Sequence, residues 1–290
     1  MLKRWPGKIL LFGEYTVLNG SKAFATPYDL FYGEWSFNQE ASIGREISRK
    51  VLFEFISQAS ESILDAKKLR NDFEKGLWFK SSIPHGYGLG SSGALIAAIF
   101  ENYGKASGEV LDDMRLLASL EHYFHGSSSG IDPLVSLSQK PLLIHNFDLI
   151  QPLENRLNLS GFFLLNTGHS RQTGPLVKIF KQKLADPEFS RGCSEVLVRE
   201  VNSAINLLLN NSNELQHHLW LISKFQLDYF SEMIPLHMKD FWAKGLSSGD
   251  YILKLCGAGG GGFLLGYSSK FKPSELKDLF SPFEILELES

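Results

Sequence analysis

Cysteine is nearly absent: the 290 residues hold two, Cys193 and Cys256. Far apart and in dissimilar surroundings, they make neither a disulfide framework nor a zinc pattern, which points to a reduced, cytoplasmic protein. Apolar runs of membrane length are missing too, since nothing approaches the roughly 18 residues of a spanning helix. The opening MLKRWPGKILLFGEY places basic residues ahead of an apolar stretch, but at about five residues that stretch is too short for the core of a signal peptide. Sustained runs of Lys or Arg are lacking, and a formal charge of -3 leaves no electrostatic footprint for nucleic acid. What is present, 43% hydrophobic against 21% charged residues, can bury a substantial core in one large domain or two ordinary ones.

KILLFGEYTVL reads as a buried strand closed by a tight turn at Asn19-Gly20, and Phe31 to Phe37 alternates like an antiparallel strand. Ile47 to Leu69 has helical spacing, LWFKSSI at 77 to 83 is a short strand, and ALIAAIFENYGKA is apolar on most faces of a buried helix. That helix is expected to begin near Ser91 or Ser92, where a small hydroxyl residue can cap it. A second helix runs from Val110 to His125, PLLIHNF and FFLLNT are strands, and Gly174 to Leu227 is helical with a break at NNSNELQHH. KLCGAGGGGFLLGYS reads as strand, glycine loop, strand, and KPSELKDLF then FEILELE as helix then strand. Mixing without regular alternation favours an α+β protein. The polar stretch ENRLNLSG divides it into 1–160 and 161–290.

GLGSSG at 88–93 satisfies G-x-G-x-x-G, which by itself is a weak signal. A dinucleotide fold also needs a buried strand before the glycines and, about 20 positions on, a strand ending in an acidic residue. Here the preceding strand is half polar and the following region, GEVLDDMRLLASLEH, is helical. A P-loop fails as well, because no Lys follows the glycines. What survives is a tight path at Gly86, Gly88 and Gly90, with exposed N–H groups ahead of a helix whose positive end favours an anion. Ser91 and Ser92 add hydroxyls for phosphate oxygens or magnesium; the alternative is a plain strand-to-helix turn with a serine cap. Four successive glycines at 259–262 cost backbone entropy that a simple hairpin would avoid, so close backbone approach is expected there. Glu121 falls near the centre of the apolar face made by Val110, Met114, Leu117 and Ala118. A carboxylate in that place is paired, protonated or metal-bound, unless it reaches solvent past Gly126. Asp132 alone reads as a cap or turn former and Lys8 as a strand-edge residue snorkelling to water.

Together these pieces resemble the GHMP small-molecule kinases and, among them, the mevalonate kinases. PGKILLFGEYTVLNG is similar to the first motif of mevalonate kinases, PHGYGLGSSGAL to the family's ATP phosphate loop, and KLCGAGGGGF to its third motif. EHYFHGSSSGIDPLVS resembles the segment in which a Glu precedes HGxPSG[IV]D, and NTGHSRQTGPLV the start of the second domain. The resemblance implies a two-domain fold, a ribosomal protein S5 domain 2-like N-terminal domain and a ferredoxin-like C-terminal one, and transfer of phosphate from ATP with Mg2+. Pro84, Gly86, Gly88, Leu89, Gly90, Ser91 and Ser92 would hold the ATP phosphates, backed by Gly259 and Gly260. Ser92 and Glu121 would hold magnesium. Asp132 would take the proton of the acceptor alcohol, Lys8 would lower its pKa, and Glu14 and Thr173 would lie near the acceptor. The implied acceptor is a small-molecule primary alcohol, most simply the 5-hydroxyl of mevalonate; the family also includes homodimers. Phosphomevalonate, a sugar or another alcohol are sibling readings, and a non-catalytic nucleotide-binding protein is a reading of another class. Against the family pattern, Tyr15 stands in place of His, Ser127-Ser128 in place of Asn-Pro, and Gly93 in place of Ala.

Overall fold

The computed structural model describes residues 3–37, 43–58, 61–125, 128–155, 157–171, 173–212 and 214–288, with the side chains of 43–47, His125 and Thr173 outside that description. Two compact units emerge, one made of residues 1–8, 26–84 and 89–140, the other of 9–25, 85–88 and 141–290. Strands β1 (Arg4–Phe12) and β2 (Ala23–Ser36) therefore contribute residues to both.

In the first unit, Gly33–Ser36 of β2 pairs antiparallel with β3 (Trp78–Ser81). The expected helical stretch from 47 to 69 is two helices, α1 (Ile43–Gln58) and α2 (Ala66–Glu74). The break has a local cause: the Asp65 carboxylate accepts the Lys68 N–H at 3.0 Å and caps α2. Helix α3 (Ser91–Tyr103) buries every residue from Gly93 to Phe100, because α4 (Val110–His125) and α5 (Ile131–Ser138) both pack on it. Its uniformly apolar sequence follows from being covered on several sides.

In the second unit, Ala23–Ala25 of β2 pairs with β4 (Leu142–Asn146), which pairs with β5 (Leu149–Pro152). A separate antiparallel sheet is built from β6 (Phe162–Asn166), β7 (Ile252–Leu255), β8 (Phe263–Tyr267) and β9 (Ile285–Glu287), in the order β7-β8-β6-β9. Between β6 and β7 come α6 (Thr173–Lys183), α7 (Pro187–Gly192), α8 (Arg199–Leu209), α9 (Leu215–Tyr229) and α10 (Lys239–Ser248), and α11 (Lys277–Phe280) precedes β9. Strand, helices, two strands, helix, strand along the chain, with the strands in that spatial order, is the ferredoxin-like arrangement. The 257–262 glycine run joins β7 to β8 as the sequence predicts. Among the described residues, no helix is long and apolar enough to cross a membrane.

Candidate active site

In the first unit the local sequence explains a tight knot of charge. Lys8 lies in β1, donates its N–H to the Leu89 carbonyl at 2.9 Å, and sends a nearly buried side chain to Asp132 Oδ1 at 2.9 Å. Asp132 sits in the first turn of α5, after the left-handed Gly130, where the helix's positive end favours a carboxylate. It is 35% exposed against 8% for Lys8, so this carboxylate is the member of the pair that solvent or a ligand can reach. Gly90 closes over them: a side-chain carbon there would lie 2.9 Å from Lys8 Cγ and 3.7 Å from Asp132 Oδ2. Left-handed Gly90 is also the N-cap of α3, and no side chain caps that helix.

The expected serine cap is thus replaced by glycine, and the serine is used elsewhere. Ser92 Oγ donates to Glu121 Oε1 at 3.1 Å, and Ser128 Oγ donates to Glu121 Oε2 at 2.5 Å. Glu121 is 4% exposed, so it does not reach solvent past the helix end. Burial, and after it the negative charge of Asp132, pushes its carboxyl up to about 7 despite both hydroxyls and Lys8. Ser128 was visible in the sequence only as a departure from the family pattern; its hydroxyl is what a polar residue there supplies. Gly126 and Ser127 lie outside the described residues.

In the second unit the glycines meet backbone. Arg171 donates its N–H to the Gly86 carbonyl at 3.0 Å and Nη1 to the Gly259 carbonyl at 3.1 Å, and a side chain on Gly88 would fall on its guanidinium. Gly262 passes so near Tyr87 that a side-chain carbon would sit 2.6 Å from its carbonyl oxygen. Close approach is the reason for glycine here, as the sequence suggests. Pro84 is half-buried after β3, Leu89 is fully buried, and Ser91 opens α3.

Glu14, expected near the acceptor, is buried and paired with a lysine. It is 4% exposed and accepts from Lys254 Nζ at 2.6 Å, while that ammonium also donates to the Leu11 and Leu255 carbonyls at 2.9 and 2.7 Å. A lysine inside the apolar strand ILKL has to be paired when buried, and that was the signal available in the sequence. Thr173 opens α6, and its side chain lies outside the described residues. Arg171 is a strut between two glycine segments.

Residues 43–140 match the family described as GHMP kinases N terminal domain. Residues 43–140 thus carry a GHMP kinase N-terminal domain. The chain is 27% identical over 308 residues to the mevalonate kinase of Thermococcus onnurineus, covering 93% of this chain and 90% of that one. Its fold superposes on the Methanococcus jannaschii mevalonate kinase with a TM-score of 0.66, at 20% identity, over 99% of this chain and 96% of the other. The Streptococcus pneumoniae phosphomevalonate kinase is nearly as similar, with a TM-score of 0.64 at 15% identity over 99% and 98% of the two chains. The fold therefore does not select the acceptor.

Among the described residues no group of three or more His, Cys, Asp or Glu side chains could hold a metal ion. One buried carboxylate flanked by two hydroxyls is an incomplete oxygen set, of the kind that suits Mg2+ when phosphate oxygens and water complete the shell.

Proposed function

We propose that this chain is a GHMP kinase that transfers the terminal phosphoryl group of ATP to a primary alcohol, the 5-hydroxyl of mevalonate. The observation that carries the reading is the Lys8–Asp132 pair at 2.9 Å, with Gly90 against it, in the same compact unit as the Ser92–Glu121–Ser128 cluster. Asp132, the exposed member, accepts or orients the proton of the acceptor hydroxyl. Lys8 stabilises the oxygen that becomes the nucleophile and keeps Asp132 in place. Phosphoryl transfer asks for positioning and charge stabilisation, and both residues are held for that purpose by β1 and α5.

Gly86, Gly88, Leu89, Gly90, Ser91 and Ser92 form the phosphate loop after Pro84, with Gly259 and Gly260 backing it. Ser92 and Glu121 are the protein donors to Mg2+, which when bound neutralises phosphate charge. In chain order the reading assigns the phosphate loop to a domain at 1–160 and the glycine-rich third motif to one at 161–290. Thr173 is retained near the acceptor.

Mevalonate is favoured because relatives that match over most of their length carry that name. The test is ADP release with mevalonate, phosphomevalonate and galactose as acceptors. Turnover is expected with mevalonate; turnover with another acceptor and none with mevalonate overturns the assignment. Asp132→Asn is expected to cost at least about 10²-fold in kcat. An unchanged rate would remove Asp132 from the chemistry, and absence of turnover by the unaltered protein with every acceptor would revive the non-catalytic reading.

A further inference from the structure

We infer that Glu14 and Tyr15 act as positioning residues, a two-residue clamp that fixes the first two residues of the third glycine motif, Gly257 and Ala258. The inference rests on the kinase reading for its effect on ATP, and on the Tyr15–Ala258 hydrogen bond for the clamp.

The run from 257 to 262 has little stiffness of its own. Gly257, Gly259, Gly260, Gly261 and Gly262 all take positive φ, a conformation that in the unfolded chain is one of many open to glycine. External bonds must therefore set its shape. Five of them hold the later part: Arg171 Nη1 to the Gly259 carbonyl, Gly260 N–H to the Met233 carbonyl at 2.5 Å, Gly262 N–H to the His169 carbonyl at 2.6 Å, and Thr167 Oγ1 and N–H to the Gly262 carbonyl at 2.8 and 3.0 Å. The first part is held from one place in the sequence. The Gly257 backbone favours the charged form of the Glu14 carboxylate, and the Tyr15 hydroxyl donates to the Ala258 carbonyl at 2.5 Å. Two successive residues thus act on the two successive residues that open the glycine run.

Both members of the clamp are themselves fixed. Lys254 Nζ anchors Glu14 at 2.6 Å. Tyr15 is 6% exposed, with its ring 4.7 Å from Phe180 and 5.7 Å from Phe230. Its φ of 64° is an unusual conformation for a bulky residue, and such conformations persist where surrounding structure imposes them. Burial pushes the phenol well above its usual range, so the hydroxyl remains a donor at any working pH. This accounts for the tyrosine that replaces the family's histidine: its hydroxyl is spent on Ala258, and it makes the loop rather than presenting a side chain to the acceptor.

Tyr15→Phe keeps the ring packing and deletes the donor. Amide hydrogen exchange and calorimetric titration with ATP and Mg2+ read the result. Exchange within 257–262 is expected to rise about five- to tenfold and ATP affinity to fall by a similar factor, the size of one lost buried hydrogen bond. The KM for the acceptor should not move. Tyr251→Phe is the control for a merely structural effect, since its hydroxyl bonds the Phe241 carbonyl at 2.7 Å away from the glycine run. It should lower the melting temperature alone. The clamp is overturned if Tyr15→Phe changes neither exchange nor ATP affinity, or if Tyr251→Phe changes both equally. Should the unaltered protein bind no ATP, the kinase reading falls, while the exchange measurement still decides the clamp.

Discussion

Replacing Gly93 by alanine sets two effects of known size against each other. Gly93 lies within α3, where alanine is better than glycine by about 1 kcal/mol. Its added methyl carbon, however, would lie 2.9 Å from the Asp132 carbonyl carbon, 3.0 Å from Asp132 Cβ and 3.0 Å from Pro133 N. Comfortable carbon contacts begin near about 3.5 Å, and the atoms in the way are backbone and proline ring, which cannot rotate aside. Overpacking of this kind costs about 1–3 kcal/mol, so sterics win and the net loss is about 0–2 kcal/mol. The larger effect falls on chemistry. The start of α5 has to retreat, and it carries Asp132, whose Oδ1 is 2.9 Å from Lys8 Nζ. A displacement near 1 Å at a reacting group can cost about 10²-fold, so kcat should fall about 10- to 100-fold while urea unfolding records a modest change. Stability equal to or above that of the parent, with kcat within about twofold, would refute the reasoning by showing that the α3–α5 gap admits a methyl group.

Glu121 makes folding depend on pH with a definite sign. Raising its carboxyl from 4.5 to about 7 means that the folded chain holds a proton which the unfolded chain releases, so stability falls as pH climbs between those values and is level above. At about 1.4 kcal/mol per tenfold in proton affinity the loss is about 3 kcal/mol. Glu121→Gln should therefore match the parent near pH 4 and exceed its unfolding free energy at pH 8 by up to about 3 kcal/mol, while losing its response to Mg2+; a pH-independent difference contradicts this. Lys254→Met leaves Glu14 buried without its cation and should cost about 3–5 kcal/mol in urea unfolding, partly restored by adding Glu14→Gln. A single variant as stable as the parent would mean that Glu14 reaches water.

Much of the architecture was readable along the chain because it depends on neighbours in sequence. The α4 limits, the continuous apolar runs of β4, β6 and β8, and the strand–glycine–strand pattern around 257–262 all express local periodicity and glycine content. The split between α1 and α2 was missed because an Asp65 cap inside a charged helical pattern looks like one more surface residue. The serine cap was misplaced for a related reason: Gly90 could cap α3 because it also had to clear Lys8, and nothing near position 90 in the sequence reveals that neighbour.

By itself the sequence singled out the residues proposed to carry chemistry. Lys8, Ser92, Glu121 and Asp132 stand in motifs whose order and residue types are specific, and the structure groups them in one compact unit. Only the tertiary structure decided what occupies each hydrogen bond. Glu14 and Lys254 are 240 positions apart, and Tyr15 and Ala258 are 243 apart. Side-chain partners at that separation are chosen by packing, and a pattern of neighbours holds no record of them.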